Sequence, residues 1–534
     1  MRDAGGNGLS TPVHRWPVTL AAIAASALGF ALSTGLGEHG WLAWIAPAPV
    51  LALAIDGRAR TAFLAPFLAA LLGSLGLTRA YGPLAAVLAL QPALVFGLAG
   101  LALHRAARRW PAAVAPFAHA ACVTAVEFAI ATFSPNGTAL SLGYSQVDVL
   151  PVLQLVALTG LWGVVFIVSL VPAAAAVAWR RRAVTPLLPA VALLGAVVGY
   201  GAWRLGSVDA GTGTMVGLAA HDRGVPAIAY TTDPATARAA ATGYAERIAG
   251  LAERGAQVVV LPEKFVGVVP ATGSDVTAAL STAARASGVY VIAGLNRIDP
   301  RPPLNVAIVL AADGRSIGEY HKRHLVPGFE SVYATGRAPL VFDAAGHRWG
   351  VAICKDLDFP PTLREYGRLD VRYLAVPAWD FVADGRMHGR MAVVRGVENG
   401  YSVARAAQQG LVTLSDGYGR IVAEGASADD VAVVAELPPG PGPTFYTRTG
   451  DWLGALAVEM AEDLLAAEAA YQELDESGCV LEDEVGRHGV EAWGHAHRSI
   501  SQRVVQRPAR RRGNNSNVAS STTASAPSQS PVRV

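Results

Sequence analysis

The chain has 534 residues, 52% of them apolar and only 16% charged, with a net charge of +2 and a mean hydropathy of +0.35. That texture is too apolar for an ordinary soluble protein and too polar for one wholly embedded in lipid, and the small net charge gives no basis for nucleic-acid binding. Cys122, Cys354 and Cys479 are too scattered for a disulfide framework or a metal-ligand set. No phosphate loop or paired-histidine motif occurs, so no metal or other cofactor is expected.

Residues 1–15 read as a short cytoplasmic tail. From Trp16 to about Leu205 the chain is a succession of apolar runs. They predict a transmembrane helical domain over 16–205 with about seven spans: 16–36, 40–56, 61–80, 83–104, 112–133, 151–179 and 184–203. Each is about long enough for a hydrocarbon core of about 30 Å, the second being short. The first run is not read as a cleaved signal, because further spans follow at once.

The loops alternate in charge. Arg2 and Arg15, then Arg58 and Arg60, Arg105, Arg108 and Arg109, and Arg180 to Arg182 mark one side, while the intervening loops are poor in Lys and Arg. The positive-inside rule then puts the N-terminus in the cytoplasm and everything after Trp203 outside. Within the fifth run lies Glu127, an intramembrane carboxylate, read either as functional or as the partner of a helix-capping group. The uncharged loop Leu142–Gln146 offers Tyr144 and Gln146, either to a substrate or to an ordered turn.

From Thr214 the pattern changes to short β-rich runs alternating with amphipathic helices, which predicts a layered α/β domain over 212–440. MVGLAA, VVVLPE, VYVIAGLNR, WGVAIC and RYLAVPAW read as strands. NVAIVLAADGRSIGEYHK reads as a hairpin turning at Asp313-Gly314. ATARAAATGYAERIAGLAERG, DVTAALSTAARASG and GRMHGRMAVVRGVENG read as helices, the last ended by Gly400.

Three stretches of this domain carry chemistry. In RWGVAICKDLDF an apolar run closes on Cys354 just before a polar turn. VVVLPEKF delivers Glu263 at a strand end, and GEYHKRHLVP delivers Lys322. A lone cysteine is more often a small core residue than a nucleophile. A carboxylate, an ammonium and a thiol at three strand ends instead form a triad: the carboxylate takes the thiol proton, and the ammonium favours the thiolate and then an oxyanion.

This arrangement resembles the nitrilase, or carbon-nitrogen hydrolase, superfamily. With the membrane half it resembles the apolipoprotein N-acyltransferases, as do GYSQ, GLWGVVF, YHKRHLVP, RGVENGYSVARAAQQG and TFYTRTGDW. The resemblance implies an αββα sandwich after the membrane domain, with Glu263 as general base, Lys322 as oxyanion lysine and Cys354 as nucleophile. It also implies supporting roles for Glu330 and Trp379. The implied reaction is acyl transfer from a phospholipid, through a cysteine thioester, to the N-terminal amine of a diacylglyceryl-cysteine on a lipoprotein. The implied place is the bacterial cytoplasmic membrane, with the catalytic domain outside. The alternatives are a membrane-tethered amidase or other nitrilase-type hydrolase using the same triad, and a non-enzymatic membrane protein whose nitrilase-like domain binds lipid or partners.

The chain departs from the family pattern in several places. Lys355 and Asp356 follow the cysteine where an aromatic residue and a glutamate are usual. Pro327-Gly328-Phe329-Glu330 replaces Pro-Phe-Gly-Glu, Lys264 follows the base where a small residue is usual, and AVPAWDF replaces an asparagine-rich stretch. Lys355 either favours the thiolate or points to solvent. The family's last span is also missing from the expectation: after Trp452 only LGALAV precedes Glu459, Glu462 and Asp463. Residues 441–497 read as a C-terminal segment with an acidic helix, and 498–534 as a disordered basic and Ser/Thr-rich tail.

Overall fold

A computed structural model describes residues 16–207, 211–299 and 301–463. The tails expected at 1–15 and 498–534, and the acidic helix beyond 463, lie outside the described residues.

The N-terminal part is a bundle of apolar helices. Five helical stretches are long and apolar enough to cross a membrane: Trp16–Ser33, Ala59–Arg109, Ala115–Phe133, Leu161–Arg181 and Leu187–Gly206. The second has 51 residues, which as one straight rod would be about 75 Å long, more than twice a bilayer core. It doubles back through the turn around Gly82, so that Ala59–Gly73 packs against Ala85–Arg109. At that contact a Cβ on Gly100 would sit 2.4 Å from the Ala62 carbonyl, a closeness that small residues allow between membrane helices. The expected second span differs. It is a 3₁₀ turn, Gly40–Trp44, and a nine-residue helix, Ala48–Asp56, only about 13 Å long. The expected sixth span breaks at Gly160 and becomes regular from Leu161. The bundle is thus several apolar helices, without a clean set of seven equal spans. Its outer face exposes Val18, Leu28, Leu64, Leu68, Leu94 and Leu188, as a lipid-facing surface does.

The remainder is two β-sheets face to face between helices. The first sheet runs β13 (Val431–Leu437), β1 (Thr214–Ala220), β2 (Val258–Val260), β4 (Tyr290–Arg297), β5 (Leu304–Leu310), β6 (Ser316–His321), with β3 (Val266–Val268) also pairing β4. The second runs β12 (Ile421–Ala426), β11 (Leu411–Ser415), β10 (Ser402–Gln408), β9 (Tyr373–Trp379), β8 (His347–Val351), β7 (Leu340–Ala344). The central β1–β2–β4 and β8–β9–β10 pairings are parallel, which is why these strands read as nearly unbroken apolar runs. Between the sheets pack Val216, Val260, Ile292 and Val309 from one and Trp349, Tyr373, Ala404 and Leu414 from the other.

Helices Pro234–Glu253 and Pro270–Ser287 cover the first sheet, and Pro360–Arg368 and Gly385–Asn399 the second. The first shows why such segments fold. Asp233 caps the Thr236 N–H at 2.8 Å, Pro234 opens the first turn, and Ala237, Ala241, Tyr244, Ile248 and Leu251 form one buried stripe. This is the αββα arrangement expected.

The two halves meet at one end of the bundle. The N–H of Leu161 donates to Glu398 at 2.8 Å, and Thr138 donates through its N–H to the Asp358 carbonyl at 2.9 Å. The other end of helix Leu161–Arg181, about 30 Å away, carries the basic loops: Arg180 pairs with Asp56 and Arg181 with the Ala107 carbonyl.

Candidate active site

The site is assembled from both sheets. Glu263 follows β2, where Gly294 of β4 lets the chain pass close: a Cβ there would lie 2.4 Å from the Pro262 carbonyl oxygen. The Glu263 backbone is tied to the opposite sheet, its N–H donating to the Ala378 carbonyl at 3.3 Å and its carbonyl accepting from Gln408 Nε2 at 2.8 Å. Lys322 leaves the end of β6, and Cys354 stands in the turn after β8. The Cys354 backbone has φ +42°, a left-handed conformation that costs a non-glycine residue energy and turns the thiol out of the strand line.

Lys322 and Glu263 bond directly, and Cys354 lies near enough to feel the charge of both. Lys322 Nζ donates to Glu263 Oε1 at 2.8 Å and to Glu330 Oε2 at 2.8 Å. The thiol of Cys354 donates to the carbonyl of Trp379 at 3.5 Å, and the Trp379 indole N–H reaches Gln409 Oε1 at 2.8 Å. Glu263 Oε2 is buried and has no hydrogen-bond partner among the described residues.

The charges decide the resting state. Burial pushes the Cys354 thiol up, the Glu263 carboxylate pushes it further, and Lys322 only partly opposes them, so the cysteine rests as a thiol. Burial works against the Lys322 ammonium, but Glu263 and Glu330 outweigh it and hold the lysine well above its ordinary value. Burial likewise disfavours an ionised Glu330, yet Lys322 and Lys264 hold it well below the usual carboxylate range.

Several residues here were not singled out by sequence. Asn305 donates through Nδ2 to Glu263 Oε1 at 2.5 Å and to Glu330 Oε1 at 2.8 Å, bridging the two carboxylates. Its signal was available: a polar side chain inside the apolar run LNVAIVL. Arg405 and Asp380 form a buried bidentate pair near the thiol. Asp356 accepts from the N–H groups of Ile353, Arg323 and His324 and from the Tyr320 hydroxyl. Burial raises its carboxyl to about 6 against those hydrogen bonds.

Other expectations resolve differently. Lys355 neither points to solvent nor turns to the thiol; it pairs with Asp358 at 2.7 Å and is largely buried. Glu127 accepts from the Ser141 hydroxyl at 2.5 Å and the Leu142 N–H at 3.0 Å, so it caps the turn that opens the Leu142–Gln146 loop. Within that loop Tyr144 accepts from Arg395 at 2.7 Å, and Gln146 bonds Trp44 at 2.7 Å and the Gly40 carbonyl at 2.8 Å. The loop is an ordered turn at the junction of the two halves.

The apolipoprotein N-acyltransferase N-terminal domain family matches residues 24–174, and the carbon-nitrogen hydrolase family matches residues 227–435. The first match falls on the helical bundle and the second on the two-sheet half that holds the cysteine. The chain is similar to the apolipoprotein N-acyltransferases over its helical bundle and to the carbon-nitrogen hydrolases over its two-sheet half.

Apolipoprotein N-acyltransferases from Geobacter metallireducens and Brucella melitensis are 26% and 28% identical, over 58% and 61% of this chain and 66% and 67% of theirs. The chain thus spans about two thirds of the length of these relatives. A nitrilase from Pyrococcus abyssi is 34% identical over 24% of this chain and 53% of its own.

Proposed function

We propose that this chain transfers an acyl group from a phospholipid, through a thioester on Cys354, to the N-terminal amine of a diacylglyceryl-cysteine on a lipoprotein. The observation that carries the reading is the division of labour within one carboxylate. Glu263 Oε1 is held by Lys322 and Asn305, while the buried Oε2 has no partner among the described residues and is the atom left to accept a proton.

Glu263 removes the thiol proton as the sulfur attacks the ester carbonyl, forming the C–S bond. Two of the three N–H donors on Lys322 hold the carboxylates, and the third serves the developing oxyanion. The C–O bond breaks, and the lysophospholipid leaves with the proton returned by Glu263. The acceptor amine then attacks the thioester, its proton passing to Glu263 and on to the departing sulfur. An amine outcompetes water here only because the enclosure positions it and limits water. Glu330 and Asn305 hold Lys322 and Glu263 in place, and Trp379 forms one wall beside the thiol. The positive-inside pattern supports a bacterial cytoplasmic membrane location with the site on the outer side, where both lipid-anchored substrates lie.

The test is intact-mass analysis of purified protein incubated with phospholipid vesicles, against Cys354→Ala. A one-acyl mass increase that a diacylated lipopeptide discharges is the expected result. Release of fatty acid to water or cleavage of a soluble amide, with no transfer to lipopeptide, would replace this reading with the hydrolase one.

A further inference from the structure

Lys264, the residue directly after Glu263, is buried and adopts a left-handed backbone at φ +48°. That conformation turns its side chain back into the site, where Nζ donates to Glu330 Oε1 at 2.7 Å. Three aromatic rings surround the same ammonium, with centroids 5.2 Å away for Tyr333, 5.2 Å for Trp379 and 5.9 Å for Tyr230. Rings at that distance attract a desolvated cation through their negative faces. The ammonium is thus held by one carboxylate and three aromatic walls.

The consequence lies in the charge count. Glu263 and Glu330 face Lys322, Lys264 and the neutral Asn305; the Asp380–Arg405 pair near the thiol is balanced internally. With Lys264 the carboxylate cluster is neutral; without it, the cluster would carry one negative charge before any thiolate formed.

The geometry points to Lys264 as a positioning residue of the acyl-transfer site: it engages Glu330 from the side opposite Lys322 and supplies the second cation that makes a Cys354 thiolate affordable. It is distinct from the oxyanion lysine, which shares Glu330 but also bonds Glu263, whereas Lys264 is completed by the aromatic walls. This role deepens the proposed acyl transfer, yet its test needs no lipid.

The experiment is alkylation of the full-length protein in detergent by iodoacetamide across a pH series, followed by intact mass, with Cys354→Ala subtracting reaction at Cys122 and Cys479. The sulfur displaces iodide and forms the S–C bond while the thiol proton leaves, so the rate reports thiolate. Lys264→Met is expected to move the pH of half-maximal alkylation upward by about one unit, because a thiolate then forms in a cluster already negative. Lys264→Arg, keeping the charge, is expected to stay with the wild type. The double variant Lys264→Met with Glu330→Gln is expected to move back toward it, and it avoids stranding a buried carboxylate if the single variant does not fold.

A Lys264→Met profile superimposed on the wild type, or a Lys264→Arg profile displaced as far as the methionine variant, would overturn the proposal. A shifted alkylation profile without any lipid thioester would leave the Lys264 role standing and remove the acyl-transfer reading. An unshifted profile in protein that does form the thioester would do the reverse.

Discussion

The carboxylate of Asp356, two residues past Cys354, accepts the hydroxyl proton of Tyr320, two residues before Lys322, at 2.8 Å. One side chain thus fastens the lysine's strand to the cysteine's turn. The same carboxylate also holds the N–H groups of Arg323, His324 and Ile353 at 3.1, 2.8 and 2.9 Å. Asp356→Ala strands four donors, two buried and two half-buried; a buried one costs about 1–3 kcal/mol when unpaired, and the variant should lower stability by more than about 3 kcal/mol. Asp356→Asn keeps acceptor capacity on one atom only. It should fold but alkylate and acylate at Cys354 about tenfold more slowly, because the lysine loop and the cysteine turn lose their shared anchor. Thermal melting in detergent and acyl-enzyme formation rates check the two expectations separately.

The junction between the halves rests on a fully buried ion pair. Arg395 donates to Glu398 at 2.6 Å and to the Tyr144 hydroxyl at 2.7 Å, while Glu398 also receives the first N–H of helix Leu161–Arg181. Removing one partner leaves an uncompensated buried charge, so Arg395→Met should cost about 3–5 kcal/mol. Tyr144→Phe removes the hydroxyl's hydrogen bonds to charged Arg395 and to Thr138 and should cost about 1.5–3 kcal/mol. Melting temperatures should rank wild type, Tyr144→Phe, then Arg395→Met, and the double variant Arg395→Met with Glu398→Gln should lose less than its two singles combined.

His388 gives a pH dependence of known sign. Burial opposes its charge, but Asp384, accepting its N–H at 3.0 Å, raises it to about 9 from an ordinary 6.5. Burial opposes an ionised Asp384 as well, and His388 nevertheless brings that carboxyl down to about 2. The imidazolium is favoured in the folded chain, so its contribution is complete below pH 6.5 and disappears as pH rises through 9. The melting-temperature gap between wild type and His388→Gln should therefore be largest near pH 6 and close by about pH 10. A gap that widened with pH would contradict the pairing.

Glu127 should behave as a structural carboxylate. Both its oxygens are engaged at the Ser141–Leu142 turn, so Glu127→Ala should lower the melting temperature. Acyl-enzyme formation per folded molecule should stay within about twofold, because the variant removes a turn anchor and leaves the thiol's surroundings intact. A loss above about a hundredfold in well-folded protein would restore a functional role.

The fold was largely legible because its elements are local patterns. The stripe of Ala237, Ala241, Tyr244 and Ile248 announces a helix, and Asp313-Gly314 between two apolar runs announces a hairpin turn. What escaped were features set by distance along the chain or by a break in regularity. The expected 40–56 span has the composition of a membrane helix but is interrupted at Ile45–Pro47, and hydropathy does not register that interruption. The convergence of Glu263, Lys322 and Cys354 followed from their places at strand ends. Their supports did not, because Asn305 lies 42 residues from Glu263, and Asp356 lies 36 from Tyr320. Lys355 shows the limit of reading a neighbour by sequence: it adjoins the cysteine, yet the 3₁₀ turn Cys354–Asp358 carries its amine to Asp358.

Glu263 and Lys322 belong to one sheet and Cys354 to the other, so no single layer of the sandwich contains the chemistry. Activity is therefore a gauge of how well the two layers are docked. Under mild denaturant, thiol reactivity should fade while circular dichroism still reports intact strands, since a slip of about an ångström between layers separates acid from base without breaking a ladder.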